Sequence, residues 1–247
     1  GSTGVILNGV ESRKTTKDKE YGQGGSLLQP LGVTAKHGDK VTIYAEGIPN
    51  GETLTVYATQ FYAEASAWRA SVGTISNGTN ELVVPKIGSG ATERGGSLYF
   101  EYSGESPESI NLHIRRATAI PMLNVTDWYI MTDDQRTTAI GNYIDALEAY
   151  VSNNANTTNT RNVTEISTPS VLLSITASSV STALNNGGRD TKIAALKNSI
   201  LAWEDIMHIC KTTQGIDATY AQNDMGTRQN IRCMQMFAGA FMYAAGN

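Results

Sequence analysis

Residues 41–58, Val-Thr-Ile-Tyr-Ala-Glu-Gly-Ile-Pro-Asn-Gly-Glu-Thr-Leu-Thr-Val-Tyr-Ala, decide how the first half of the chain is read. Val41, Ile43 and Ala45 alternate with Thr42, Tyr44 and Glu46, and Leu54, Val56 and Ala58 alternate with Thr55 and Tyr57. Side chains along a strand point to opposite faces in turn, so each run predicts a strand with one apolar face. Asn50-Gly51 lies between them, and this dipeptide favours the positive φ angles of a tight reverse turn. A β-hairpin is therefore expected here. Further strands are expected at Asn80–Val84, Ser97–Tyr102 and Ile110–Arg115, punctuated by Asn77-Gly78, Gly88 to Gly90, Gly95-Gly96 and Gly104. Short strands with Gly- and Asn-rich turns at this spacing predict an antiparallel β-sandwich over residues 27–119.

The period changes after Pro121. Ile140, Tyr143, Ile144, Leu147, Tyr150 and Val151 fall on one helical face, with Thr132 and Gln135 forming a capping box before them. Ile193, Leu196, Ile200, Trp203, Met207 and Cys210 mark a second helix from about residue 191. Asp190 is its candidate N-cap and Gly215 its candidate stop. Asn153 to Asn162 reads as a polar loop, and Thr164 to Ala177 fits either a strand or a helix. The fold class is α+β: an N-terminal tail (1–26), the β-sandwich (27–119) and a mainly α-helical unit (120–247).

A length of 247 residues accommodates one large domain or two ordinary ones. Nineteen Lys and Arg against 23 Asp and Glu give a net charge of −4 with no basic block. Nucleic-acid binding through phosphate neutralisation needs clustered cations and is not expected. No apolar run reaches the ~20 residues that span a bilayer. Cys210 and Cys233 fall in or beside helical patterns, as two free thiols or as a disulfide between neighbouring elements.

Four stretches, taken in order, resemble the enhancin-like zinc metallopeptidases, the mucin-targeting peptidase family M-sixty. Leu31 to Gly47 (LGVTAKHGDKVTIYAEG) is similar to the family's opening segment, and Gly95 to Phe100 (GGSLYF) to its double-glycine strand. Ile114 to Met122 (IRRATAIPM) resembles the exit from the β domain, and Leu201 to His208 (LAWEDIMH) a helix of the peptidase domain. The resemblance implies that residues 120–247 are the front part of a gluzincin-type catalytic domain. It also implies a secreted or cell-surface parent that binds zinc and acts on glycoproteins such as mucins. In that family an HExxH helix and a downstream Glu hold the zinc, the i, i+4 spacing placing both imidazoles on one face. No HExxH occurs in these 247 residues. No catalytic or metal-binding residue is carried over, no cofactor is expected in this chain, and the chain itself is expected to be inactive.

The remaining candidates read blandly. His37 sits in a turn, His113 on the strand face opposite Leu112 and Ile114, and His208 near a helix end, where a cation is favoured. Gly22 to Gly25 lacks the Lys-Ser/Thr of a phosphate loop, and no G-x-S-x-G nucleophile elbow is present. Glu101, Glu105 and Glu108 read as solvated charges, and Trp128 and Trp203 as packing residues. Tyr57, Tyr62 and Trp68, with Phe61, surround the loop after the second strand, either as core rings or as a sugar-stacking surface. The apolar end, with Met234, Met236, Phe237, Phe241, Met242 and Tyr243, is expected to cover a core or to lead into a remainder that holds the chemistry. Competing with a peptidase scaffold are a family member that has lost its metal site and a non-catalytic glycan- or protein-binding adhesion module.

Overall fold

The computed structural model describes residues 5–8, 28–60, 67–88, 95–102, 104, 109–158, 161–185, 187–213 and 229–232. Two antiparallel sheets form before Pro121. Among the described residues the first has the order β1-β8-β3-β6, built from β1 (Val5–Asn8), β8 (Asn111–Arg115), β3 (Lys40–Glu46) and β6 (Gly78–Val83). The second has the order β5-β4-β7-β2-β9, from β5 (Arg69–Ile75), β4 (Leu54–Gln60), β7 (Gly95–Tyr102), β2 (Gln29–Thr34) and β9 (Thr118–Ala119). Val41, Ile43 and Ala45 of β3 are buried while Lys40, Tyr44 and Glu46 are exposed, which is the alternation expected. They share one apolar cluster with Leu54, Val56 and Ala58 of β4, Leu98, Phe100 and Tyr102 of β7, Leu31 and Val33 of β2, and Leu112 and Ile114 of β8.

The hairpin expected at Asn50-Gly51 does not form. β3 and β4 belong to different sheets, so this segment carries the chain from one sheet to the other. Their apolar faces meet within one cluster instead of lying side by side on one sheet. The connection is longer than a two-residue turn and buries Ile48, whose backbone N–H and carbonyl both bond the Asn77 side-chain amide at 2.9 Å. Asn77-Gly78 is itself the crossing from β5 back to β6, so one side chain ties the two crossings together.

After Pro121 the chain is less helical than its periodicity predicts. β10 (Met122–Asn124), β11 (Thr164–Ser167), β12 (Val171–Ile175) and β13 (Gln229–Arg232) make a mixed sheet. β10 runs parallel to β11, β11 antiparallel to β12, and β12 parallel to β13. The ambiguous stretch from Thr164 is therefore strand as far as Ile175. Its apolar–polar alternation is blurred because β11 is buried throughout and β12 nearly so. Ile166, Val171 and Leu173 join a second apolar cluster with α1 (Asp133–Ser152) and α3 (Arg189–Thr213). A short helix, α2 (Ala177–Ala183), contributes Ala177 and Val180.

The capping box holds: Thr132 Oγ1 accepts from Gln135 N–H at 3.2 Å, and Gln135 Oε1 accepts from Thr132 N–H at 2.9 Å. Ile140, Tyr143, Ile144 and Leu147 are buried as the helical period requires. α3 starts at Arg189, two residues earlier than expected, so Asp190 is not the cap. It stands in the first turn, where its charge meets the positive end of the helix dipole. Gly215 and residues 233–247, with the apolar run they carry, lie outside the described residues.

Candidate functional site

A small third cluster lies where the five-stranded sheet meets the mixed sheet. Tyr99 of β7 and Leu172 of β12 are buried there with Leu28, and Tyr57 and Trp68 pack against them half-buried. Register explains the grouping. Tyr57 faces Tyr99 across β4 and β7, and Thr59 faces Arg69 across β4 and β5, so these side chains share the sheet face turned away from the main cluster. A register shift in the β4–β5 pairing at Val56/Tyr57 bends this edge, a feature that re-aims side chains. Gln60 N–H bonds the Trp68 carbonyl at 3.0 Å and closes the strand pair at its end.

Arg69 is exposed and held between two rings. Its Cζ lies 5.3 Å from the Tyr57 ring centre and 5.0 Å from that of Trp68, within range for cation–π attraction. The Tyr57 hydroxyl approaches Glu101 Oε2 at 3.5 Å, and Glu101 is half-buried rather than fully solvated as expected. Of the three rings expected to contact glycan, Tyr57 and Trp68 are thus brought together, outside the main cluster between the sheets. Tyr62 and Phe61 lie outside the described residues.

Two buried carboxylates escape the sequence reading. Glu165 is wholly buried, and its Oε2 accepts from the Tyr99 hydroxyl at 2.7 Å and from Ser174 Oγ at 3.2 Å. This links the two sheets through side chains far apart in sequence. Glu204 of α3, 3% exposed, accepts from Tyr129 Oη (2.8 Å), Thr168 Oγ1 (2.7 Å), Ser170 N–H (3.0 Å) and Ser170 Oγ (2.9 Å). Burial, then the bond to Glu204, pushes the Tyr129 hydroxyl well above its ordinary range. A saturated, desolvated carboxylate holds structure in place. A signal for Glu204 was present: it occupies the apolar stripe that Ile193, Leu196 and Ile200 define.

His37 is exposed in the turn after β2, His113 is half-buried on β8 opposite Tyr44 of β3, and His208 is half-buried on α3. Among the described residues no group of three or more His, Cys, Asp or Glu could hold a metal ion. The described residues therefore do not fit the zinc that the family resemblance implies. The Cys210 side chain and Cys233 lie outside the described residues, and so does the question of their pairing.

The fold is similar to that of solved M60 metallopeptidase catalytic domains, the enhancin-like class that the four sequence stretches resemble. Neither a family model nor a curated protein matches the sequence. The ZmpB metallopeptidase from Clostridium perfringens superimposes with a TM-score of 0.64 at 19% identity, over 94% of this chain and 45% of that one. The catalytic module of the metalloprotease ZmpA from the same organism gives 0.64 at 18%, over 98% and 47%. The M60 catalytic domain of its ZmpC, solved in complex with the sialyl T antigen, gives 0.60 at 21%, over 95% and 44%. At these identities the likeness is one of fold. The chain spans less than half the length of each of these three structures.

Proposed function

We propose that these residues are the scaffold portion of a secreted or cell-surface enhancin-like zinc metallopeptidase that cleaves glycosylated proteins such as mucins. One observation carries this reading: the fold likeness covers 94–98% of this chain but only 44–47% of three metallopeptidase structures. Residues 27–119 serve as a β-sandwich accessory domain and residues 120–247 as the front of a gluzincin-type catalytic domain. Zinc then belongs to the parent, on a helix that this chain lacks. Glycoprotein substrates are supported by two similar structures, one in complex with the sialyl T antigen and one with the Tn antigen. Among the described residues no helix is long and apolar enough to cross a membrane.

The reading frame beyond Asn247 tests this proposal. An encoded HExxH helix followed by a liganding Glu is expected, and a frame that closes without one defeats it. The 247-residue chain alone is expected to cleave nothing, with or without zinc. A second reading, a non-catalytic glycan-binding module, draws on the Tyr57–Arg69–Trp68 surface. It predicts a frame without HExxH together with glycan affinity in the isolated chain.

A further inference from the structure

Arg69 differs from Arg116, Arg136 and Arg189 in how its charge is used. Arg136 also lies over a ring, 4.4 Å from Trp128, but its Nε–H is bonded to the Trp128 carbonyl at 2.9 Å. Arg189 grips Asp145 with two bonds of 2.9 and 3.1 Å, and Arg116 lies 3.9 Å from Glu81. Arg69 is engaged by the Tyr57 and Trp68 rings alone, so among the described residues no acceptor occupies its guanidinium donors. Glu101 is not such an acceptor: it pairs with Thr55, two residues to one side of Tyr57 on β4, while Arg69 pairs with Thr59, two residues to the other. Both rings are themselves anchored by packing against Leu28, Tyr99 and Leu172. The fork is thus oriented by aromatic faces, exposed, and without an acceptor among the described residues.

We propose that Tyr57, Trp68 and Arg69 form a binding site for an acidic sugar. The guanidinium would take the sugar carboxylate in a two-bond grip while the two rings hold the guanidinium in place. Arginine's planar fork matches a carboxylate in a way that a lysine ammonium does not. The proposal rests on the functional reading above only in taking a glycan as the ligand. The site lies on the β4–β5 edge of the five-stranded sheet.

The test is a titration of the 15N-labelled 247-residue chain with 3′-sialyllactose, lactose, glucuronic acid and a short poly-glutamate peptide. Resonances of the Arg69 side chain and the Trp68 indole report the site. Saturable shifts with sialyllactose or glucuronic acid are expected, with lactose and the peptide binding about tenfold more weakly or not at all. Arg69→Gln should remove acidic-sugar binding by about tenfold or more, and Arg69→Lys should lose most of it, because the two-bond grip is gone. Arg69 is exposed, so both variants should keep the wild-type melting temperature. The proposal is overturned if lactose binds as well as sialyllactose, if the peptide competes equally, if Arg69→Gln binds normally, or if no shift appears. Any of these outcomes leaves the peptidase reading untouched, since that stands or falls on the downstream zinc helix.

Discussion

Gly47 shows at the scale of one residue why a family pattern demands glycine. It leaves β3 with φ +80°, and a methyl group there would lie 1.6 Å from the carbonyl oxygen of Ser109. Gly96 is similar: a Cβ would come within 2.6 Å of Thr59 Oγ1 and 3.0 Å of its backbone. Both glycines belong to stretches that carry the family resemblance, so close backbone approach accounts for part of that pattern. Gly47→Ala should cost about 2–3 kcal/mol from strained φ and the clash, measured by urea unfolding. An unchanged midpoint would show that the approach is not as close as described. Glu204 gives the complementary case. Glu204→Ala strips four donors of their shared acceptor in a buried site and should cost roughly 3 kcal/mol or more. A loss well below that would mean that water reaches those donors. Buried carboxylates such as Glu165 are hard to read from sequence, because an isolated Glu is usually solvated and its partners, Tyr99 and Ser174, come from distant strands.

Legibility at the scale of elements follows burial. β3, β4, β7 and β8 could be read because one of their faces is apolar, leaving alternation in the sequence. β2 could not be read as a strand, because nearly all of it is buried and its alternation is lost. β11 and β12 fail for the same reason, packed between helices on one face and Tyr99 on the other. The Asn50-Gly51 turn was legible as a turn but not as a crossing. The dipeptide sets local φ and ψ, whereas Ile48 and its bonds to Asn77 decide which sheet the chain enters next. α1 was legible through its cap and its stripe together. The start of α3 was misplaced by two residues, since an Asp is at home both as a cap and in the first turn.

The whole molecule should be most stable between weakly acidic and weakly alkaline pH. Burial pushes the Tyr150 hydroxyl up to about 12, while Tyr143 and Tyr129 are driven higher still, mainly by burial. Unfolded tyrosines ionise near pH 10, so the folded state holds protons that the unfolded chain releases. That stability is fully present below pH 10 and is lost as pH rises through the raised values. On the acid side, a hydrogen bond from Lys197, then its charge, lowers Asp133, and the bond from Arg189 lowers Asp145. Stability from these carboxylates is present above the ordinary carboxylate range near 4 and is lost as pH falls through their lowered values. Melting temperature against pH should therefore fall on both flanks. A curve that keeps rising beyond pH 10 would contradict the assignment of the three tyrosines.

At this scale the α+β class was legible, because strand alternation before Pro121 and a helical period after it both stand in the sequence. The mixed sheet was not, because β11 is buried throughout and β12 nearly so, which removes the alternation from their sequence. Zinc-dependent cleavage of a purified O-glycosylated mucin by the full-length gene product tests the central claim most directly. Cleavage that a chelator abolishes and added zinc restores, with none by the 247-residue chain, is the predicted result. A full-length product that binds no zinc and leaves the mucin intact would contradict it.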